Sequence, residues 1–219
     1  MSLTEEQYKL ISLREHVLDN PSMYIGNNKP TLKKMWIYDD SSDNIIFKNI
    51  VISDAFIKIF SEILINAFEH TICDTSCNEI KINVNQVTGC IEIYNNGTPI
   101  PIKIHKNFNK YIPELIFCSD ELCHPKTYYN SPNELGAKLA NIFSECFTII
   151  INDPKNNVKY TQSAKNNMEN IQPPIISYVE NYENLYTKIK FTPDYKKFSV
   201  DSLSDDVHNP KNNPKNNPK

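Results

Sequence analysis

A carboxylate and a carboxamide lie four residues apart in an apolar, helix-forming segment of this chain. Glu62 and Asn66 occur within residues 61–70, and their spacing places both side chains on one face of a helix, one turn apart. A carboxylate can accept a proton from an attacking water molecule, and a carboxamide oxygen is a hard ligand that suits Mg²⁺. The pair indicates nucleotide hydrolysis, although the same spacing also occurs in helices that only pack.

A second motif, Asn95-Asn96-Gly97, directly follows a predicted strand, at a place where a nucleotide site would need a polar group. In such a site the amide of Asn96 would bind the edge of a purine, and Gly97 would let the main chain approach the ring closely. An Asn-Gly pair is also the commonest signal for a plain hairpin turn. The residues alone allow both interpretations.

A third motif, Gly136-Ala137-Lys138, lies near the predicted start of a helix. Main-chain N–H groups at a helix N-terminus bind phosphate, and a lysine there adds a positive charge. The alternative is an ordinary amphipathic helix. Its apolar stripe would consist of Leu135, Leu139, Ile142 and Phe143.

The length and composition indicate a single domain of ordinary size. The chain has 219 residues and a net charge of −3, which does not indicate a protein that holds nucleic acid by bulk charge. No signal peptide opens the chain and no long apolar run occurs, so we expect an intracellular protein with reduced thiols and no membrane contact. Cys118, Cys123 and His124 could ligate a metal, but they lack a second pair at zinc-site spacing.

Apolar periodicity predicts the secondary structure. The predicted helices are residues 5–19, a helix that starts after Ser53 and ends near His70, residues 111–117 and residues 132–144. The predicted extended segments and strands are residues 23–26, 79–85, 90–94, 147–151, 158–162 and 185–191. This order predicts an α+β two-layer sandwich with helices on one face of a mixed, mostly antiparallel sheet. The repeats in residues 209–219 lack apolar side chains and predict a disordered tail.

Taken in order, the three motifs resemble the Bergerat-type (GHKL) ATP site shared by gyrase, heat-shock chaperones, histidine kinases and mismatch-repair proteins. A closer similarity is to the N-terminal ATPase domain of eukaryotic-type type IIA DNA topoisomerases, and it runs collinearly from about residue 7 to residue 205. The segments that carry it are residues 13–18, 21–26, 36–39, 56–64, 111–117, 135–144, 172–178 and 186–194.

The resemblance implies ATP and Mg²⁺ as the bound ligands. Glu62 would polarise the attacking water, and Asn66 would ligate the Mg²⁺ that bridges the phosphates. Asn96, with Gly97, would hold the adenine side of the site. The terminal phosphates would be bound by Lys138 and by the main chain around Gly136 and Ala137.

The resemblance also implies a domain order and partners. Residues 1–30 would form an N-terminal helix and strap, residues 31–205 the ATP-binding domain, and residues 206–219 the tail. In the family the strap, here residues 24–26, crosses toward the partner subunit when ATP closes the dimer. We therefore expect a homodimer on ATP binding, or association with the remaining topoisomerase domains from another chain, and only indirect contact with DNA. The nucleus or a viral replication site would be the location, and this chain alone is expected not to break or pass DNA.

Several residues depart from the family pattern. A glycine-rich lid precedes Gly-Ala-Lys in the family, whereas residues 131–134 here form a capping box. Glu134 in that box would place negative charge where phosphate should lie. Thr98 and Pro99 follow Gly97 in place of the family's second glycine, and His70 stands where family members have a nucleotide-contacting asparagine.

These departures leave three functions to compare. The first is an ATP-binding, slowly hydrolysing module of a type IIA topoisomerase. The second is a degenerate relative that keeps the fold, binds nucleotide weakly or not at all, and serves as a dimerisation or partner-binding module. The third is another Bergerat-type function, such as a chaperone-like or kinase-like partner. Magnesium-dependent nucleotide binding would separate the first two.

Overall fold

The structure, a computed structural model, describes residues 10–121, 134–180 and 184–199. In chain order the α-helices are α1 (Leu13–Asp19), α2 (Pro21–Ile25), α3 (Asp54–Cys73), α4 (Ile112–Phe117) and α5 (Glu134–Ile142). The strands are β1 (Thr31–Asp39), β2 (Asn44–Ile52), β3 (Ile80–Asn85), β4 (Cys90–Asn96), β5 (Ile104–His105), β6 (Lys110–Tyr111), β7 (Ser144–Asp153), β8 (Val158–Lys165), β9 (Asn170–Ile171), β10 (Ile175–Tyr178) and β11 (Tyr186–Pro193). Short 3₁₀ helices occupy Pro154–Asn156 and Tyr195–Phe198.

Seven of these strands form one sheet in the order β10-β8-β7-β11-β4-β3, with β9 paired to β8. The described pairings in this sheet are antiparallel. Side chains alternate between its two faces, and one face buries apolar residues that include Ile93, Ile149 and Phe191. Helices cover that face, so the predicted α+β class with helices on one side of the sheet is confirmed.

The longest helix, α3, carries the first of the predicted site motifs. Ser53 is its N-cap, as predicted, and its hydroxyl accepts a hydrogen bond from the main-chain N–H of Phe56 at 3.4 Å. The helix continues past the predicted end at His70 to Cys73. Its core face, formed by Ala55, Ile59, Ile63 and Ala67, is buried between the sheet and α5.

The N-terminal region corrects one prediction. Residues 23–26 are not extended, because Pro21 occupies the first turn of α2, where its fixed φ and missing N–H suit a helix start. Helix α1 begins at Leu13, later than predicted, since Ser12 and Glu15 form a reciprocal capping box there. The first part of the predicted helix, residues 1–9, lies outside the described residues.

A separate hairpin, β1–β2, was not predicted from the sequence. Its register runs from Thr31 opposite Ile52 to Asp39 opposite Asn44. Side chains such as Trp36 and Phe47, whose ring centroids are 4.9 Å apart, are exposed rather than buried in the core. Apart from Ile50, the apolar side chains of the two strands are at least partly exposed, so the hairpin lacks the fully buried face that would mark it as a core element.

Two other predictions concern segments with little or no structural description. The tail at residues 209–219 lies outside the described residues, as do Cys123 and His124. In the part of the chain that the structure describes, no group of three or more His, Cys, Asp or Glu side chains could hold a metal ion. Across the same residues, no helix has the length and apolar character needed to cross a membrane.

Candidate active site

A cavity of 540 Å³ lies between the C-terminal half of α3 and strand β4. Its walls are mostly apolar, and polar groups are confined to a few positions. The apolar lining includes Ile63, Ala67, Ile93, Ile100, Phe117 and Ile189. The polar lining consists of Asn66, His70, Asp74, Asn95, Thr98 and Thr187. Cysteine and proline side chains, Cys73, Pro99 and Pro101, complete it.

Glu62 is buried one helical turn before Asn66 and packs directly against Gly136 of α5. A Cβ atom placed on Gly136 would overlap the Glu62 carboxylate and would lie 3.0 Å from its Cγ. Helix α5 can therefore approach α3 closely only because residue 136 has no side chain. The structure thus brings together Glu62 and Gly136, two residues that lie far apart in the sequence.

The Glu62 carboxylate also forms an ion pair with Lys58, one turn earlier on α3. Glu62 is almost completely buried, whereas about half of the Lys58 side chain is exposed (49%). The side chain of Asn66 is half-buried, lines the cavity and makes no hydrogen bond to the residues that the structure describes. One face of α3 therefore presents a held carboxylate and an available carboxamide.

Lys138 is fully buried, and main-chain oxygens hold its ammonium group. Its Nζ donates to the carbonyl oxygen of Ser119 at 2.9 Å, to the Ser119 hydroxyl at 3.3 Å and to the carbonyl oxygen of Glu121. Ala137, beside it, is buried in the hydrophobic core. Lys138 and Ala137 are therefore not among the residues that line the cavity.

The structure places Asn95, rather than Asn96, at the cavity. Successive side chains of β4 point to opposite faces of the sheet, so Asn95 lies on the same face as Ile91 and Ile93. The Asn96 amide instead faces the start of β3. Its oxygen accepts from the main-chain N–H groups of Asn78 and Glu79, both at 2.9 Å. Asn95, and not Asn96, is therefore among the residues that line the cavity, and the role of either in binding a base stays a prediction.

Gly97 packs against the turn between α3 and β3 rather than against the cavity. Its φ of +101° lies in a region that L side chains rarely adopt. A Cβ atom at this position would lie 2.7 Å from the Cβ of Cys77 and 3.0 Å from the Cα of Cys77. Gly97 therefore keeps β4 close to this turn.

Replacing Gly97 by alanine should destabilise the protein by about 2–3 kcal/mol, because main-chain strain and overlap with Cys77 add. Gly26→Ala is a matched control. Gly26 also has a positive φ, +77°, but a Cβ atom there would meet nothing within 4 Å, so we expect a loss of about 1 kcal/mol. Unfolding in urea measures the free energy of unfolding of both variants. Equal losses of stability in the two variants would show that the contact with Cys77 does not explain the requirement for glycine at residue 97.

Asp74 ties the end of α3 to the segment that follows Gly97. Its Oδ2 accepts from the main-chain N–H of Thr98 at 2.6 Å, and its Oδ1 accepts from the main-chain N–H and hydroxyl of Ser76 at 2.9 and 2.7 Å. These hydrogen bonds, that of Thr98 first, lower the pKa of Asp74 below its ordinary value. The carboxylate is therefore ionised at the edge of the cavity at neutral pH.

The lowered pKa predicts a pH-dependent effect of Asp74→Asn. A group with a lower pKa in the folded state stabilises the protein above its unfolded-state pKa, 3.8, and this contribution is lost as the pH falls below that value. We expect D74N to cost about 1 kcal/mol at neutral pH and less at about pH 3.5. Urea unfolding at the two pH values tests this, with Asp40→Asn in the exposed β1–β2 turn as the control. An equal loss of stability in D74N at the two pH values would contradict the prediction.

His70 completes the polar end of the cavity by joining Asn95 to Asp74. Its Nδ1 lies 2.8 Å from Nδ2 of Asn95, and its Nε2 lies 3.5 Å from Oδ2 of Asp74. The sequence marked His70 only as a departure from a family pattern and did not identify Asn95 or Asp74. The alternation of side chains along β4 could have identified Asn95. Asp74 follows the end of a helix, and no local pattern in the sequence identified it.

The segment that replaces the family's lid lies in residues 122–133, which are outside the described residues. No family model matches the chain. It is 40% identical over 207 residues to the DNA topoisomerase 2 of Candida glabrata, covering 92% of this chain and 15% of that protein. It is 38% identical over 214 residues to the DNA topoisomerase 2 of Acanthamoeba polyphaga mimivirus, covering 93% of this chain and 17% of that protein.

Among solved structures, the ATPase region of Saccharomyces cerevisiae topoisomerase II superposes with a TM-score of 0.83 at 37% identity. The superposition covers 93% of this chain and 55% of that structure. The helix-covered antiparallel sheet, with a cavity beside the helix that carries Glu62 and Asn66, defines the Bergerat-type (GHKL) fold. The chain is homologous to the ATPase region of type II DNA topoisomerases.

Proposed function

We propose that this chain binds ATP together with Mg²⁺ in the cavity between α3 and β4, and that Glu62 supports slow hydrolysis. The observation that carries the proposal is the unpartnered Oδ1 of Asn95. This atom belongs to a cavity-lining residue that is only 7% exposed, and it has no hydrogen bond to any described residue. An unpartnered acceptor on a residue that lines a mostly apolar cavity suits a ring that carries an exocyclic amino group.

At the base end, apolar side chains would contact the two faces of the purine. Ile93 and Ile189 of the sheet, together with Ile100 and Phe117, supply this surface. We assign the contact with the adenine amino group to Asn95 in place of Asn96. Gly97 supports the site through its packing on Cys77 rather than by direct contact.

At the phosphate end, Asn66 would hold Mg²⁺ and Glu62 would polarise the attacking water. The bound metal ion would neutralise phosphate charge. The position of Glu62, one turn from Asn66 on the same helix, supports this order along α3. The main chain near Gly136 and Ala137 would approach the terminal phosphates, while Lys138 would reach them only by leaving the Ser119 and Glu121 carbonyls.

Turnover by the chain alone should be slow. Phosphoryl transfer needs full charge neutralisation and positioning, and in the chain as described Glu62 is paired with Lys58 and Lys138 is held by carbonyl groups. We infer that a second copy of the chain, or the other domains of a type II topoisomerase, completes the site. Contact with DNA would then be indirect, and a nuclear or viral replication location stays a prediction.

A calorimetric titration of the purified chain with a non-hydrolysable ATP analogue, with and without Mg²⁺, tests the proposal. Binding in the micromolar range that requires Mg²⁺ is the expected result. Absence of binding at millimolar nucleotide would overturn it. The chain would then be a GHKL-fold protein that serves in dimerisation or partner binding.

Two neighbouring asparagines provide a matched pair for the same titration. Asn95→Ala should weaken binding about tenfold or more, since it removes the buried acceptor. Asn96→Ala should leave the affinity within about twofold, because its amide hydrogen bonds only to the β3 side of the sheet. The reverse ranking would contradict the assignment of Asn95.

A further inference from the structure

The amide of Asn95 can have only one orientation in this structure. Its Nδ2 faces the main-chain oxygen of Asn96 at 3.1 Å, and a carbonyl oxygen can only accept. The atom that faces it must therefore be the amide nitrogen. The nearest partner for the second hydrogen of that nitrogen is Nδ1 of His70 at 2.8 Å, with Sγ of Cys77 farther away at 3.8 Å. Oδ1 is then the atom without a hydrogen bond to a described residue.

This orientation determines the tautomer of His70. Because Nδ1 accepts from Asn95, the proton of the neutral imidazole lies on Nε2, which faces Oδ2 of Asp74 at 3.5 Å. Asp74 is itself held by Thr98 and Ser76 and stays ionised. The series Asp74, His70 and Asn95 therefore ends in an amide whose hydrogens face His70 and the Asn96 carbonyl oxygen.

We propose that His70 is a positioning residue that selects the base of the nucleotide by holding the Asn95 amide with only its oxygen available to the ligand. The inference rests on the proposed function. An acceptor in this position pairs with the amino group of adenine and opposes the carbonyl group of hypoxanthine or guanine, because two acceptors cannot share a hydrogen bond. Without His70, only the Asn96 carbonyl oxygen would hold the amide nitrogen, so the rotated amide that presents a donor to the ligand would be excluded less strongly.

The test compares two substitutions at His70. His70→Gln keeps an acceptor that can reach the Asn95 amide, whereas His70→Leu keeps a similar volume and removes the acceptor. For each protein, calorimetry measures the dissociation constants of a non-hydrolysable ATP analogue and of the corresponding ITP analogue, which carries hypoxanthine. Circular dichroism and thermal unfolding confirm that each variant is folded.

We expect the wild type and H70Q to prefer the adenine analogue about tenfold or more, since a buried hydrogen-bonding group strongly rejects the wrong partner. H70L should lose most of this preference through weaker adenine binding and equal or tighter hypoxanthine binding. A general structural defect would weaken the binding of both analogues equally and leave the ratio of their dissociation constants unchanged.

Two outcomes would overturn the inference, and they are distinguishable. Full adenine preference in H70L, with nucleotide still bound, would reject the role of His70 and leave the proposed function intact. Failure of the wild type to bind either analogue would reject both the role of His70 and the proposed function.

Nitrogen-detected NMR of the ligand-free protein gives an independent check, because the structure requires the Nε2-protonated tautomer of His70. Observation of the Nδ1-protonated form would contradict the inference.

Discussion

Replacing Glu62 by glutamine is expected to abolish ATP hydrolysis by this chain while leaving nucleotide binding largely intact. Removal of a positioned general base costs about 10²- to 10⁴-fold in rate. Glutamine keeps the volume that fills the space against Gly136, so the packing of α3 on α5 should persist. Glu62→Ala should give the same loss of hydrolysis, but it would also leave a gap beside Gly136.

Phosphate release and calorimetric titration measure the two effects separately. Glu92→Gln is the matched control, since Glu92 also pairs with a lysine, Lys190, at 2.7 Å but lies on the opposite face of the sheet from the cavity. This control should hydrolyse ATP at the wild-type rate. Hydrolysis by E62Q at that same rate would show that Glu62 is not the base. Loss of binding in E62Q would instead indicate that its negative charge organises the site.

Lys138→Ala is expected to lower the stability by about 3 kcal/mol. The substitution removes a fully buried side chain and leaves the Ser119 carbonyl without its donor, so a packing loss and an unpaired polar group add. For a domain of this size the melting temperature should fall by roughly 6–12 °C. Lys138→Met, which preserves the stem, should cost about 1–2 kcal/mol, because only the hydrogen bonds are lost.

Thermal unfolding of the two variants decides between a structural and a phosphate-binding role for this lysine. Lys155→Ala provides the control, since Lys155 is exposed on a 3₁₀ helix and should tolerate the change. If K138A unfolded at the wild-type temperature but lost affinity for the ATP analogue, the ammonium would serve the phosphates and not the Ser119 segment. A large loss of stability in K138A supports the arrangement that the structure describes.

Local patterns in the sequence determined much of the fold. The alternation of residues 79–85 and 90–94 identified the β3–β4 hairpin, and Ser53 identified the start of α3. These features depend on neighbours within a few residues, so the sequence alone specifies them. The β1–β2 hairpin was missed because its exposed apolar side chains do not distinguish a buried face from a solvent face.

The site depended on more than local pattern. The four-residue spacing of Glu62 and Asn66 placed both residues on one face of α3, as the sequence predicted. The same sequence also contained the period-two alternation that points Asn95 and Asn96 to opposite faces of the sheet. Interpreting the asparagines as a motif, without regard to that alternation, led to Asn96, whereas the cavity lining contains Asn95.

Only the tertiary structure decided which distant residues meet. Gly136 accommodates Glu62, Lys138 is bound by the Ser119 and Glu121 carbonyls, and His70 meets Asn95 across 25 residues of sequence. Each contact depends on how α5, α4 and β4 pack around α3, and no local pattern specifies that packing. The sequence by itself therefore determined the resemblance to the ATPase region, most of the helices and strands, and the chemical groups available. Long-range packing determined which of those groups are open to a ligand, because a side chain is available only where its neighbours leave it without a partner.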